Sequence, residues 1–326
     1  MLESLSEFAR TTHVSEVLRL VPAHVLDARD FSRGWLEDEL FPLADQLGRL
    51  VSADWAGPLA GRRMFCLFYE PSLRTIASFK SAMQLQGGIA DDLEPFRQPH
   101  SPAPESLEDV VLTLNQLSYD LIVLRYSDEG GSQRAAQVSR IPIINAGDGQ
   151  GQHPTQAMLD LFTIRQELGS LDGLHVALVG DLTFERSTNS LLFMLSKLDN
   201  IRLSLVSPEM LRIRQHVRDF LNQAGVAFDE ITDLRSVAGE VDVVYITKAH
   251  TARLDLSLRY GSGGESHNRV DDKVVAALPE RSIVMHPLPR GEELPAEYDG
   301  DRRFVHFKQV RNGLLIRMAL LQMLLS

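Results

Sequence analysis

Residues 62–83, RRMFCLFYEPSLRTIASFKSAM, indicate the fold class because they contain a complete passage from an apolar strand-like run to a helical segment. The apolar run from Met64 to Tyr69 is typical of a strand, and Pro71 ends it. Apolar residues then return at helical spacing, beginning with Ala77 and Phe79. A strand that leads directly into a helix predicts one unit of an α/β fold.

Three polar residues, Ser72, Arg74 and Thr75, stand at the start of this predicted helix. A helix N-terminus carries unpaired N–H groups and the positive end of the helix dipole, so it favours an anion. Two hydroxyls and one guanidinium would add donors for a phosphate. The alternative is an ordinary N-cap at Ser72 with Arg74 in solvent, and this is the commoner arrangement for such residues.

Strand-like runs alternate with helical segments along the rest of the chain. The runs are LIVLRY, IPIINA, HVALVGD, RLSLVS, VDVVYIT and SIVMHPLP. This pattern predicts an α/β fold with two domains, each a parallel sheet flanked by helices, joined by a long linking helix in HPTQAMLDLFTIRQEL. The expected domains are residues 1–150 and 151–326, and the apolar C-terminal segment is expected to form a helix that packs back on the first domain.

Composition excludes several classes of partner. Lys and Arg number 33 against 44 Asp and Glu, a net charge of −11, so neither nucleic acid nor an anionic membrane is expected as a partner. The single cysteine, Cys66, permits no intramolecular disulfide and indicates a cytoplasmic location. Residues 1–21 resemble neither a signal peptide nor a transit peptide, and no run approaches the roughly 20 apolar residues that span a bilayer.

Ligands of parallel α/β sheets collect beyond the carboxyl ends of the strands, so the residues that follow each run form the candidate site. They are mainly cations and hydrogen-bond donors: Arg125, His153, Gln156, Arg186, Lys248 and His250. Such a set suits a substrate with phosphate and carboxylate groups. Arg125 and Lys248 could equally be surface charges, and His153 could cap the linking helix.

Other chemistries lack support in the sequence. No histidine pair has metal-ligand spacing with a carboxylate nearby, so no metal is expected. Only Gly180 stands where a dinucleotide fingerprint needs three glycines, so no cofactor is expected either. Serine-hydrolase and P-loop motifs are absent from the sequence.

Five motifs, EPSLRT, GDGQGQHPTQAMLDLFTI, LHVALVGDLTFERSTNSLL, VYITKAHTARLD and MHPLPRGEE, follow one another along the chain. Together they resemble the aspartate and ornithine carbamoyltransferase family from end to end. The second half is most similar to the aspartate members, because Pro287 stands where ornithine members usually carry a cysteine. The resemblance implies two α/β domains facing across a cleft, a homotrimer with sites at subunit boundaries, and no cofactor.

The resemblance also implies a function and residue roles. The activity is transfer of the carbamoyl group of carbamoyl phosphate to the amine of aspartate or a related amino acceptor, in pyrimidine biosynthesis. The residues matched to the phosphate are Ser72, Arg74 and Thr75. Those matched to the carbamoyl group are Arg125, His153, Gln156 and the backbone carbonyl of Leu288. Those matched to the amino acid are Arg186, Lys248 and His250. Of these, Arg74, Thr75, Arg125 and His153 are the expected catalytic residues.

The phosphate motif departs from the usual Ser-Thr-Arg-Thr-Arg of the aspartate members at two positions. Leu73 and Ile76 replace its second and fifth residues, so one arginine is lost. Lys80 replaces the glutamate that usually follows that arginine by four residues. The paired change indicates that a structural ion pair has been exchanged.

The acceptor side departs further. Ala103 stands where the aspartate members carry a lysine that a neighbouring subunit inserts into the site, which leaves Arg97 or His100 as replacements. Lys248 replaces an arginine that holds the aspartate side chain, and lysine cannot reproduce a bidentate contact with a carboxylate. We therefore expect aspartate to be a poor acceptor. A paralogue with another group-transfer reaction and a non-catalytic chain are the two alternatives.

Overall fold

The computed structural model describes residues 23–50, 57–92, 105–248 and 268–326. The first sheet has four strands in the order β2-β1-β3-β4, all parallel. Its strands are β1 (Arg63–Phe68), β2 (Ile89–Asp92), β3 (Leu121–Tyr126) and β4 (Ile143–Asp148). The helices of this half are α1 (Phe41–Leu50), α2 (Leu73–Leu85), α3 (Leu107–Gln116) and α4 (Gly131–Val138).

A long helix, α5 (Pro154–Leu168), follows β4 and leads to the second sheet. Proline is favoured at its first position because that residue needs no intrahelical donor. The helix ends at Gly169, whose φ of 77° is a left-handed conformation that glycine adopts without a steric penalty. Most of α5 is buried, as expected for a helix between two layers of structure.

The second sheet has five parallel strands in the order β7-β6-β5-β8-β9. They are β5 (His175–Val179), β6 (Arg202–Val206), β7 (Ala227–Ile231), β8 (Val243–Ile246) and β9 (Ile283–Met285). Its helices are α6 (Arg186–Leu195), α7 (Gln215–Gln223) and α8 (Asp272–Ala277). Two parallel sheets flanked by helices confirm the predicted α/β class.

The C-terminal helix, α9 (His306–Leu325), packs against α1, α2 and α5. One hydrogen bond of this contact runs from Gln86 Nε2, just after α2, to the backbone carbonyl of Met318 at 3.1 Å. The last helix of the chain therefore contacts the first half of the molecule. None of the helices in the described ranges is both long and apolar enough to cross a membrane.

Two strands, β2 and β7, were not predicted from the sequence. Both lie at sheet edges and are partly exposed along their length. β2 ends in Asp91 and Asp92, and β7 contains Asp229 and Glu230. An edge strand with solvent on one side does not need a continuous apolar run, so it lacks the signal that identified the central strands.

Candidate active site

A cleft of about 750 Å³ is lined by residues that follow β1, β3, β4, β5 and β9 and by residues of α5 and α9. It therefore lies at the carboxyl ends of strands from both sheets, where α/β folds bind ligands. Eight of the predicted site residues line it: Ser72, Arg74, Thr75, Arg125, His153, Gln156, Arg186 and Leu288.

The start of α2 turns its polar side chains toward the cleft. The Ser72 hydroxyl donates to Thr75 Oγ1 at 2.9 Å, and within the described residues it makes no capping bond to the helix backbone. The N-cap alternative therefore does not account for this hydroxyl. Arg74 Nη2 donates to the backbone carbonyl of Leu288 at 2.5 Å, so this guanidinium lies over the cleft instead of extending into solvent.

Glu70 joins two arginines in the cleft. Its Oε2 lies 2.8 Å from Arg186 Nη2 and 3.4 Å from Arg125 Nε. Burial lowers the pKa of Arg125 to about 10, and the nearby charge of Arg186 acts in the same direction. A Cβ on Gly147 would lie 3.0 Å from Arg186 Nε and 3.1 Å from Arg125 Nη1, so glycine lets the two guanidiniums approach the same strand end.

His153 is buried at the start of α5, where its backbone N–H donates to Ser190 Oγ at 2.8 Å. Burial lowers the pKa of its imidazole well below 6.5, and the positive charges of Arg317, Arg125 and Arg186 lower it further. The ring is therefore neutral near pH 7. A neutral imidazole can donate one hydrogen bond to a carbonyl oxygen without adding a charge to the site.

The loop after β9 presents the Leu288 carbonyl to the cleft. Leu288 has a φ of 56°, a left-handed conformation that is unusual for a residue other than glycine. Its N–H donates to His286 Nδ1 at 2.7 Å, and His286 Nε2 lies 3.0 Å from Glu293 Oε1. Since Nδ1 accepts, Nε2 carries the proton and donates to Glu293, which fixes the ring and the loop.

Arg317, on α9, lines the cleft but was not among the predicted site residues. Its side chain is buried, and Nη1 donates to Ser78 Oγ at 2.5 Å. Burial lowers the pKa of this guanidinium to about 10. The sequence did contain a signal for this residue: Arg317 is the one charged residue in the apolar segment GLLIRMALLQMLLS. A charge at a buried position indicates a specific partner or a function, because arginine is rarely buried without one.

The acceptor side of the site is described only in part. Lys248 is exposed and does not belong to the cleft lining within the described chain, and His250 lies outside the described residues. The loop positions Arg97, His100 and Ala103 also lie outside them, as do residues 1–21. The roles predicted for these positions stay predictions.

The changed phosphate motif has a structural account. Lys80 Nζ lies 2.5 Å from Asp92 Oδ1, on the neighbouring strand β2. Ile76 is partly buried and packs against the apolar core. Where the aspartate members usually have an arginine, Ile76 packs against the core. Lys80, where they usually have a glutamate, forms an ion pair with Asp92 in the same half of the molecule.

Comparison with known proteins gives the same answer for both halves. The carbamoyl-P binding domain of the aspartate/ornithine carbamoyltransferase family matches residues 23–166, and the Asp/Orn binding domain matches residues 172–324. The chain is 40% identical to the chloroplastic aspartate carbamoyltransferase of Arabidopsis thaliana, over 95% of this chain and 80% of that protein. It is 39% identical to the aspartate carbamoyltransferase catalytic subunit of Thermococcus gammatolerans, over 93% of this chain and 97% of that protein.

A solved structure also matches. It is aspartate transcarbamoylase from Trypanosoma cruzi in complex with carbamoyl phosphate and aspartate. The TM-score is 0.86 at 34% identity, and the match covers 94% of this chain and 98% of that chain. Fold and sequence therefore agree with the family resemblance of the motifs.

The comparison with curated relatives also shows that the expected cytoplasmic location is wrong. The relatives from Arabidopsis thaliana, Oryza sativa and Pisum sativum are chloroplastic proteins. The expectation rested on one cysteine, Cys66, which is buried. A chain without disulfides fits any reducing compartment, so cysteine usage does not identify the cytoplasm.

Proposed function

This chain belongs to the aspartate/ornithine carbamoyltransferase family, and from that membership we infer that it transfers the carbamoyl group of carbamoyl phosphate to the amine of aspartate or a related amino acceptor. The observation that carries this inference is the cleft itself. Ser72, Arg74 and Thr75 at the start of α2 line one cavity with the donors Arg125 and His153 and with Leu288 of the second half. Both reactants of such a transfer would bind there.

Ser72, Arg74 and Thr75 bind the phosphate in this proposal, together with the N–H groups of the first turn of α2. Charge-assisted contacts from a guanidinium and hydroxyls match the oxygens of a phosphate dianion. Arg317, which donates to Ser78 Oγ on the same helix α2, adds a buried positive charge to the lining of the cleft. The positive charge of the cavity is thus local, which explains how a chain with a net charge of −11 binds an anion.

Arg125, His153 and Thr75 donate to the carbonyl oxygen of the carbamoyl group. The amine, in its deprotonated form, attacks the carbamoyl carbon, and a C–N bond forms as the carbonyl oxygen becomes an oxyanion. The oxyanion then re-forms the carbonyl as the bond between the carbamoyl carbon and the bridging phosphate oxygen breaks. Phosphate leaves with that electron pair and takes the proton from the amine. Each donor aimed at such an oxyanion lowers the barrier by about 3 kcal/mol, and positioning of the two reactants supplies much of the rest.

Arg186 holds a carboxylate of the acceptor in this scheme, and Lys248 and His250 complete the acceptor pocket. The assembly is a homotrimer in which a neighbouring subunit closes each site. The product with aspartate would enter pyrimidine biosynthesis. Light scattering at dilute concentration tests the trimer, and a fully active monomer would contradict it.

Amine-dependent release of phosphate tests the reaction. Purified protein is supplied with carbamoyl phosphate and a panel of amino acids, and phosphate is measured against the spontaneous rate. Arg125→Gln should lower the rate by about 100-fold or more because one oxyanion donor is removed. Arg140→Gln, which changes an exposed arginine away from the cleft, is the matched control and should leave the rate unchanged. Release that does not depend on the amine would contradict the proposal.

A further inference from the structure

Asp160 is a fully buried carboxylate on α5, one helical turn after Gln156. Its Oδ1 accepts two hydrogen bonds, from Gln156 Nε2 at 2.9 Å and from Gln309 Nε2 at 2.6 Å. Gln309 lies on α9, so one oxygen of Asp160 accepts hydrogen bonds from the side-chain amides of two helices, α5 and α9. Asp160 does not line the cleft, whereas Gln156 and Gln309 both do.

The hydrogen bond to Asp160 fixes the orientation of the Gln156 amide, and with it whether the oxygen or the nitrogen faces the cleft. Oδ1 of Asp160 accepts from both amides, so the Gln156 amide turns its nitrogen toward Asp160. Its oxygen then points away from Asp160, on a residue that lines the cleft. Without that acceptor the amide could rotate and present its NH2 group instead.

A second branch runs from Asp160 to the loop after β9. With its nitrogen on Asp160, Gln309 accepts through Oε1 from the backbone N–H of His286 at 3.0 Å. The ring of His286 in turn accepts from the N–H of Leu288 at 2.7 Å. The Leu288 carbonyl, which faces the cleft, is therefore supported by a continuous set of hydrogen bonds that begins at Asp160.

We propose that Asp160 is a positioning residue that makes the cleft select the NH2 group of its donor substrate, by holding Gln156 Oε1 and the Leu288 carbonyl as a pair of acceptors. This inference rests on the proposed function, which places the carbamoyl group at these two residues. A carbamoyl NH2 has two hydrogens and satisfies both acceptors. A methyl group in its place has none. Gln156 Oε1 and the second lone pair of the Leu288 carbonyl, whose first accepts from Arg74, would then lose their water without gaining a partner.

The surroundings of Asp160 fit this role. Burial raises its pKa to about 7, and the hydrogen bond from Gln309 is the largest of the effects that favour the charged form. A carboxylate kept in such a place, where an apolar residue would cost less, indicates that its acceptor capacity is used.

Two stable ligands that differ only at the selected group test the proposal. Phosphonoacetamide and 2-oxopropylphosphonate share a phosphonate and a carbonyl, and the first carries NH2 where the second carries CH3. Calorimetry should give the wild type a preference for the amide of about 10- to 100-fold. Asp160→Ala should reduce this preference to about threefold or less, while its affinity for inorganic phosphate stays within about twofold of the wild type.

Asp160→Asn is the matched control because its side-chain oxygen can still accept from both glutamines, so the preference should be retained. Gln309→Leu removes only the second branch and should lower the preference in part, which provides a test even if Asp160→Ala does not fold. A full preference in folded Asp160→Ala or in Gln309→Leu would overturn the inference and leave the proposed function intact. A wild-type preference near one would contradict the proposed function as well.

Discussion

Arg74 Nη2 donates to the backbone carbonyl of Leu288 at 2.5 Å, across a sequence separation of 214 residues. One partner begins the helix that follows the first strand of the first sheet, and the other follows the last strand of the second sheet. A second link joins Glu70, after β1, to Arg186 at the start of α6 at 2.8 Å. The two halves of the chain are therefore connected through the residues of the site.

Replacing Arg74 with alanine should lower the affinity for inorganic phosphate by about 10- to 100-fold. A charge-assisted hydrogen bond to phosphate contributes about 1.5 to 3 kcal/mol, and the backbone and hydroxyl donors of the same helix start would remain. Isothermal titration calorimetry measures the loss, with Arg140→Ala as the matched surface control. Equal phosphate affinity in Arg74→Ala and the wild type would rule out the assignment of the phosphate site.

Replacing Glu70 with glutamine should destabilise the protein in the absence of ligand. Glu70 is the acidic neighbour of both Arg125 and Arg186, whose side chains are only 14% and 16% exposed. Because Glu70 itself is 35% exposed, the loss should be modest, about 1 kcal/mol. Phosphate should raise the Tm of the variant more than that of the wild type, since the cleft carries more positive charge for an anion once the Glu70 carboxylate is neutralised. A variant as stable as the wild type without phosphate would show that this link contributes nothing.

The buried carboxylate of Asp160 should give stability a specific pH dependence. Its pKa is raised to about 7 in the folded protein, so folding takes up a proton below that pH. The stabilisation from the protonated form is present at low pH and is lost as pH rises through about 7. The free energy of unfolding of the wild type, minus that of Asp160→Asn, should therefore fall between pH 5 and pH 7 and level off above. Denaturant unfolding at several pH values measures it, and a difference that grows with pH would contradict the assignment.

Acceptor preference should favour amines with one carboxylate over aspartate. Within the described part of the cleft, Arg186 is the residue expected to bind an acceptor carboxylate, and the exposed Lys248 lies outside the lining. An uncompensated second carboxylate in a partly buried site costs a few kcal/mol. Values of kcat/KM for aspartate, asparagine and β-alanine decide the matter. If aspartate is preferred by a wide margin, the prediction fails, and Arg97 and His100 become the first candidates for the missing cation.

The sequence predicted the parts of the fold and site that depend on local pattern. The central strands are continuous apolar runs because both faces of a parallel sheet are covered, and the cluster at Ser72 follows directly from a strand end. The edge strands β2 and β7 were not predicted because they are partly exposed and therefore lack a continuous apolar run.

Glu70 and Asp160 were not predicted as residues of the site, for a different reason. Both are acids within or beside a site built to bind an anion, and a search for cations and donors passes over them. Their importance depends on which distant side chains they meet, such as Arg186 for Glu70 and Gln309 for Asp160. Contacts between segments far apart in the chain carry no local pattern in a single sequence.

The proposed reaction forms a C–N bond between a carbamoyl carbon and an amine in this cleft. Its most direct test supplies 13C-labelled carbamoyl phosphate and 15N-labelled amino acids, aspartate included, and follows the product by NMR. We expect a ureido carbon signal split by the 15N nucleus, formed only with enzyme and amine present, and formed about 100-fold more slowly by Arg125→Gln. Release of phosphate with the label recovered only as carbamate or carbonate would contradict it.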